Sequence, residues 1–119
     1  MKRRYVVKHS ASGLILASQA ALAKHFWSRV RGLMWRKGWA DFDGLIIERC
    51  NSIHTCFMFF AIDAVFIDHK DCVVKIHRRI APWRMTWFYW TAQRVIEFPA
   101  GKVPQVIQKG DQLELQCIS

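Results

Sequence analysis

Residues 53–63, IHTCFMFFAID, place several side chains that can do chemistry within an otherwise apolar run. His54 and Asp63 are of the types that general acid/base catalysis uses, and Thr55 lies beside His54. A carboxylate in apolar surroundings must find hydrogen-bond donors, a cation or a proton. Asp63 is therefore either a pocket carboxylate, available as an acid, a base or a cation ligand, or a structural acceptor of backbone N–H bonds.

Glu97 is a second acid in an apolar stretch, VIEF at residues 95–98. The two-residue period of a strand places it on the same face as Val95. If Glu97 and Asp63 met in one cavity, the two carboxyl groups could act as a catalytic pair, although no spacing requires this. We predict a candidate ligand pocket, lined from the 50–63 loop and the 95–101 segment, with the residues His54, Thr55, Asp63, Arg84 and Glu97.

The same loop contains the pattern Cys-x3-His-x-Cys, formed by Cys50, His54 and Cys56. Zinc accepts such ligands, but the pattern lacks the paired spacing that is typical of a structural zinc site. A cysteine nucleophile activated by His54 is a further alternative. We predict no metal and no other cofactor, and we assign no catalytic residue.

Aromatic and basic residues indicate a different kind of site. The segment WRMTWFYW at 83–90 is rich in tryptophan, the net charge is +9, and the first acid in the chain is Asp41. Aromatic rings beside arginine can stack on unpaired bases while basic residues contact phosphates. The alternatives are core packing or a protein partner. A nucleic-acid or partner surface would use Arg29, Arg31, Arg36, Lys37, Trp87 and Trp90.

Composition is typical of one packed domain. The chain has 119 residues, of which 52% are hydrophobic and 23% charged, so we predict a single domain over residues 1–119. No stretch approaches the roughly 20 apolar residues that a membrane-spanning helix needs. We therefore expect no membrane span and a cytoplasmic location, since the basic N-terminus and the short apolar run after it make a poor signal peptide.

The elements that position these residues are mostly strands. Alternation predicts a hairpin from residues 3–8 and 13–17, a second hairpin across 64–76, and strands at 45–47, 95–98 and 112–117. The spacing of Leu22, Phe26, Val30 and Leu33 predicts an amphipathic helix that begins after Ser18. Pro104 and Gly110 predict a short helix between them. The predicted fold is mainly β or α+β: a compact antiparallel sandwich or barrel-like sheet, jelly-roll-like, with these two helices.

Five ordered stretches carry a family resemblance: RGLMWR, SIHTCFM with IDAVFID, APWR, VIEFPAG and KGDQL. With them the chain resembles domain of unknown function 192, a small prokaryotic domain, over about residues 14–115. Trp35 and Ala61 depart from that pattern, where glycine and proline are usual. The resemblance implies a compact, mainly β fold with a packed helix, and it implies no reaction.

These observations favour a small accessory or binding domain over an enzyme. The expected partner is a small ligand in the pocket near the 50–63 loop or another protein. The alternatives are single-stranded nucleic-acid binding and an acid/base hydrolase that uses His54 with Asp63.

Overall fold

The computed structural model describes residues 3–25, 32–39 and 41–118. Within these residues the chain forms seven strands and no helix. The strands are β1 (Arg4–His9), β2 (Ile15–Ala23), β3 (Gly44–Glu48), β4 (Ile62–Ile67), β5 (Val73–Ile80), β6 (Arg94–Pro99) and β7 (Leu113–Cys117).

All seven strands belong to one mixed sheet in the order β5-β4-β6-β3-β2-β1-β7. The β2/β3 pair is parallel and the other pairs are antiparallel. The sheet is curled so far that its two edge strands, β5 and β7, meet at one end. There the Val73 N–H donates to the Asp111 carbonyl at 2.8 Å, and the Leu113 N–H donates to the Asp71 carbonyl at 2.9 Å. The architecture is a half-barrel.

The two faces of the curled sheet carry separate apolar cores. The inner core takes side chains from all seven strands, including Val73 and Leu113 on the two edges, and also Val103 and Ile107 from the turn after β6. The outer core lies on the central strands and is covered by irregular segments. Every residue of β4 is buried because both of its faces are covered.

Several sequence predictions are confirmed. The expected hairpins are β1 with β2 and β4 with β5, and the last alternating segment forms β7. The fold class is wrong, however. The sheet is a single curled and mixed one rather than an antiparallel, jelly-roll-like sandwich, and the described residues form none of the expected helical structure.

The predicted amphipathic helix is contradicted by β2. Ser18 and Leu22 are strand residues, Leu33 lies in a turn, and Phe26 and Val30 fall outside the described residues. The register of β2 against β1 shifts at a bulge near Ser18, so buried residues of β2 recur in adjacent pairs instead of alternating, and the two-residue period of a strand was hidden where the helix was predicted to begin.

The predicted short helix between Pro104 and Gly110 is also wrong, because these residues form turns. The guanidinium group of Arg78 donates to the carbonyl oxygens of Val103, Pro104 and Ile107 at 3.2, 2.9 and 3.1 Å. A side chain thus satisfies acceptors that a helix would pair with its own N–H groups. In the described part of the chain no helix is long and apolar enough to cross a membrane.

The bulge in β2 depends on Asp43, whose carboxylate accepts the N–H groups of Ser18 and Gln19, each at 2.8 Å. We predict that Asp43→Ala lowers the free energy of unfolding by about 1–3 kcal/mol, the usual range for losing a charged hydrogen-bond partner. Urea denaturation measures this. Asp41→Ala is the control, since that carboxylate is exposed and should change stability by only about 0.5 kcal/mol. Equal effects of the two substitutions would contradict the assignment.

Candidate functional site

A cavity of about 260 Å³ lies on the outer face of the sheet. It is formed by residues 32–34, the end of β3, the loop that follows β3 and the middle of β6. Its apolar lining is Leu33, Met34, Ile47, Ile53 and Met58, and its polar lining is Arg49, Cys50, Ser52, His54 and Glu97. The site is therefore mainly apolar with a few polar groups, as small-molecule sites usually are.

Glu97 is the most unusual group in this cavity. It lies on β6 between Leu45 of β3 and Ala64 of β4, both outer-core residues, and is 3% exposed. Its Oε1 atom is buried and has no hydrogen-bond partner among the described residues. Burial raises the pKa of the Glu97 carboxyl from 4.5 to about 8. Glu97 is thus mainly a neutral acid at pH 7, able to donate one hydrogen bond and to accept others.

His54 lies in the loop between β3 and β4 and also lines the cavity. Its Nδ1 atom accepts the Cys56 N–H at 3.1 Å, so a neutral ring carries its proton on Nε2. Its backbone pairs with that of Met85 in an isolated antiparallel bridge. The ring therefore has one nitrogen fixed by the loop and a second that is a donor.

Cys50 lines the same cavity, and its Sγ donates to the Ser52 carbonyl at 3.0 Å. A carbonyl oxygen at this distance favours the thiol over the thiolate, and the thiolate is the nucleophilic form. Within the described residues, no three His, Cys, Asp and Glu side chains come together in a way that could hold a metal ion.

Asp63 has no place in this cavity. Its side chain lies on the inner-core side of β4 and is completely buried. The carboxylate accepts backbone N–H groups from Arg79 at 2.8 Å, from Gly101 at 3.1 Å and from Val103 at 3.0 Å. These bonds fasten β5 and the turn after β6 to β4, so the geometry gives Asp63 a structural role and does not bring it together with His54 or Glu97.

Thr55 and Arg84 support the cavity loop from outside. The Thr55 hydroxyl is buried, donates to the Ala81 carbonyl at 2.7 Å and accepts the Arg84 N–H at 2.8 Å. Arg84 itself is exposed. Of the five predicted pocket residues, the structure brings His54 and Glu97 into one cavity and places Thr55, Asp63 and Arg84 around or away from it.

The residues predicted for a nucleic-acid or partner surface are only partly described. Arg29 and Arg31 fall outside the described residues. Trp87 and Trp90 are 75% and 77% exposed, and Lys37 is exposed as well. Arg36 is partly buried, with its guanidinium carbon 5.4 Å from the centroid of the Phe42 ring.

Sequence reasoning missed the methionines of the cavity. Met34 and Met58 line it with His54 and Glu97, although they are far apart in the chain. Both lie inside stretches that carry the family resemblance, RGLMWR and SIHTCFM, and that was the available signal.

The chain is similar to known proteins over most of its length. The family domain of unknown function 192, described as an uncharacterised ACR, matches residues 7–115. The chain belongs to this family. A UPF0127 protein of Thermococcus sibiricus (strain DSM 12597 / MM 739) is 30% identical over 112 residues, which cover 89% of this chain and 71% of that protein.

Two solved structures share the fold of this family member, each with a TM-score of 0.78. One, from Sinorhizobium meliloti 1021, is described as a proposed transcription regulator; it is 24% identical and the match covers 95% of this chain and 92% of that one. The other, a protein of unknown function from Novosphingobium aromaticivorans DSM 12444, is 19% identical, with 93% and 83% covered. At these identities the likeness concerns the fold alone.

A structural role for Asp63 predicts a large loss of stability on substitution. Asp63→Ala leaves three backbone N–H groups without their acceptor, one of them buried and two partly buried, and we expect the free energy of unfolding to fall by about 3 kcal/mol or more. Asp68→Ala is the matched control, because Asp68 also accepts two backbone N–H groups but in a water-accessible turn. Urea denaturation of both variants measures the two losses of stability. If Asp63→Ala lowers the free energy of unfolding as little as Asp68→Ala does, the structural role of Asp63 is refuted.

The neutral Glu97 predicts that stability falls as pH rises. Between pH 4.5, the ordinary pKa, and pH of about 8, the folded protein keeps a proton that the unfolded chain has lost. Stability then decreases by up to roughly 1.4 kcal/mol per pH unit from this group. Glu97→Gln should remove that decrease. Urea denaturation from about pH 5 to about pH 8 tests it, and parallel curves for the two proteins would count against a neutral Glu97.

Proposed function

We propose that this family member is a binding domain, and that its outer-face cavity takes a small, mainly apolar and uncharged molecule with a hydrogen-bonding group. The single observation that carries the proposal is the buried Oε1 atom of Glu97, which has no hydrogen-bond partner in the described part of the chain. A buried polar atom without a hydrogen bond costs roughly 1–3 kcal/mol. A ligand that supplies the missing bond recovers this free energy.

The lining of the cavity supports an uncharged ligand. Leu33, Met34, Ile53 and Met58 form apolar walls, and a carboxyl group with a pKa of about 8 is mostly protonated at pH 7. A neutral carboxyl group can donate to a carbonyl oxygen and accept from an N–H or O–H group. At Glu97, amides, lactams and alcohols therefore match better than anions do; Arg49 also lines the cavity, but its side chain is exposed to water, which screens its charge.

The size of the cavity supports a small ligand. Its volume of about 260 Å³ is below the roughly 300–1,000 Å³ that drug-sized ligands occupy. The two methionines also favour adaptable apolar contact, since their unbranched thioether side chains adjust to irregular shapes.

Acid/base hydrolysis has less support from the geometry. A hydrolase that uses His54 and Asp63 needs both groups at one reacting centre, and the bonds of Asp63 to three backbone N–H groups hold it on the inner face of the sheet.

Trp87 and Trp90 are exposed, as a surface that binds a partner requires, but they do not line the cavity.

Methyl NMR of methionine tests the proposal with an internal control. Met34 and Met58 line the cavity, whereas Met85 is 74% exposed and is not part of the lining. With ε-caprolactam and other neutral amide fragments as probes, we expect the Met34 and Met58 methyl signals to shift with affinities in the millimolar range, and the Met85 signal to stay. Hexanoate, a charged probe of similar size, should bind more weakly.

The pH dependence adds a second readout. Binding of the lactam should weaken as Glu97 ionises above a pH of about 8, and Glu97→Gln should bind without this dependence because its amide stays neutral. If no neutral fragment moves the Met34 and Met58 signals, or if Met85 moves equally, the cavity is not a ligand site and the proposal fails.

A further inference from the structure

Aromatic side chains are concentrated on one exposed surface. We call it the aromatic surface and define it by Trp35, Phe57, Trp83, Trp87, Phe88 and Trp90. Their exposed fractions run from 43% at Phe57 to 77% at Trp90. Large apolar patches of this kind are rare on monomeric proteins and mark sites of interaction.

The rings form two clusters on connected segments. Phe57 contacts Trp35 and Trp83, with ring centroids 5.4 and 4.7 Å apart. Phe88 stacks on Trp90 at 5.5 Å with an interplanar angle of 9°. The 83–90 segment carries members of both clusters, and its backbone is hydrogen-bonded to the 51–55 loop. Members of both clusters are therefore carried by one segment that is fixed to the domain.

The backbone beneath the first cluster is strained. Trp35, Phe57 and Trp83 have φ angles of 61°, 64° and 65°, in the left-handed region that favours glycine. Their conformation is held by neighbouring bonds: the Trp35 N–H donates to the Phe57 carbonyl at 2.9 Å and the Trp83 N–H donates to the Thr55 carbonyl at 3.0 Å. Glycine would fit the backbone at all three positions, so an aromatic side chain there needs another reason, and strained positions of this kind cluster at functional sites.

The stretches of sequence that carry the aromatic surface have basic residues and no acidic ones. The stretches that carry it, residues 1–40, 49–62 and 72–96, contain no Asp or Glu. They do contain the exposed basic residues Lys37, Arg49 and Arg84. A surface that combines exposed tryptophan with uncompensated positive charge complements an anionic membrane, because tryptophan rings prefer the headgroup region and basic side chains are attracted to anionic lipids.

We propose that the aromatic surface docks this domain on an anionic lipid bilayer, with Trp83, Trp87 and Trp90 entering the headgroup region and Lys37, Arg49 and Arg84 facing anionic headgroups. This inference does not require a ligand in the cavity, although Arg49 also lines that cavity. It describes peripheral binding through side chains at the bilayer surface.

Ring packing favours a bilayer over single-stranded nucleic acid. A base needs a free ring face on which to stack. The Phe88 and Trp90 rings are parallel and stacked, so each ring covers one face of the other. Met85, which is 74% exposed within the same segment, adds an aliphatic contact that a bilayer accepts and a base does not need.

Vesicle co-sedimentation tests the proposal on the full chain. The probes are vesicles of phosphatidylcholine mixed with phosphatidylglycerol and vesicles of phosphatidylcholine alone. We expect binding to the anionic vesicles, with tryptophan fluorescence quenched by brominated acyl chains. The double variant Trp87→Ala/Trp90→Ala should bind the anionic vesicles with an affinity that is lower by about tenfold or more, because two large apolar side chains no longer enter the bilayer.

Two matched variants make the result specific. Ile15→Ala/Val106→Ala removes two apolar side chains that are about half exposed outside the aromatic surface, and should bind like the unmodified protein. Glu97→Gln should also bind normally, so a failed ligand screen and a failed vesicle test remain separate results. Circular dichroism confirms that each variant is folded.

Three outcomes overturn the proposal. The first is the absence of binding to anionic vesicles. The second is binding that the tryptophan substitutions leave unchanged, which would reduce the contact to charge alone. The third is binding to single-stranded oligothymidylate, lost in the tryptophan variant, without any vesicle binding, which would assign the aromatic surface to nucleic acid.

Discussion

Thr55 joins the two segments on which the cavity and the aromatic surface depend. Its buried hydroxyl donates to the Ala81 carbonyl and accepts the Arg84 N–H, while its own N–H donates to the Arg84 carbonyl at 2.8 Å. The Thr55 carbonyl accepts the Trp83 N–H. One residue therefore fixes the loop that holds His54 at the cavity and the segment that presents Trp83 at the surface. Because its hydroxyl is buried and paired, valine in its place would fill the space but lose both bonds.

The two buried acids show how environment divides roles between like residues. Asp63 and Glu97 lie on neighbouring strands of one sheet, and the pleat sends them to opposite faces. On the inner face, strand and turn backbones bring three N–H groups to Asp63. On the outer face, Glu97 meets apolar side chains and an open space, so its carboxyl group is neutral at pH 7. The first acid fastens the fold and the second is left with unused hydrogen-bonding capacity.

The pattern of neighbouring residues predicted the features of this structure that depend only on residues close together in the chain. The two hairpins follow from alternation and turn residues, and the two-residue period correctly placed Glu97 on the face of Val95. The bulge in β2 was not predictable in the same way, because it depends on Asp43, which is about 25 residues away in the chain. The roles of Asp63 and Glu97 were likewise undecided in the sequence, since donors for one and empty space for the other come from distant segments.

The curvature of the sheet explains why the candidate site lies on the outer face. The inner face is closed on itself: all seven strands contribute side chains, and the turn that carries Val103 and Ile107 fills what remains. The outer face has no second sheet over it and is covered by irregular segments, whose backbone groups must find partners and so pack less regularly than strands. A cavity forms where such coverage is incomplete. In this domain it forms over Glu97, the one buried acid that the backbone does not satisfy among the described residues.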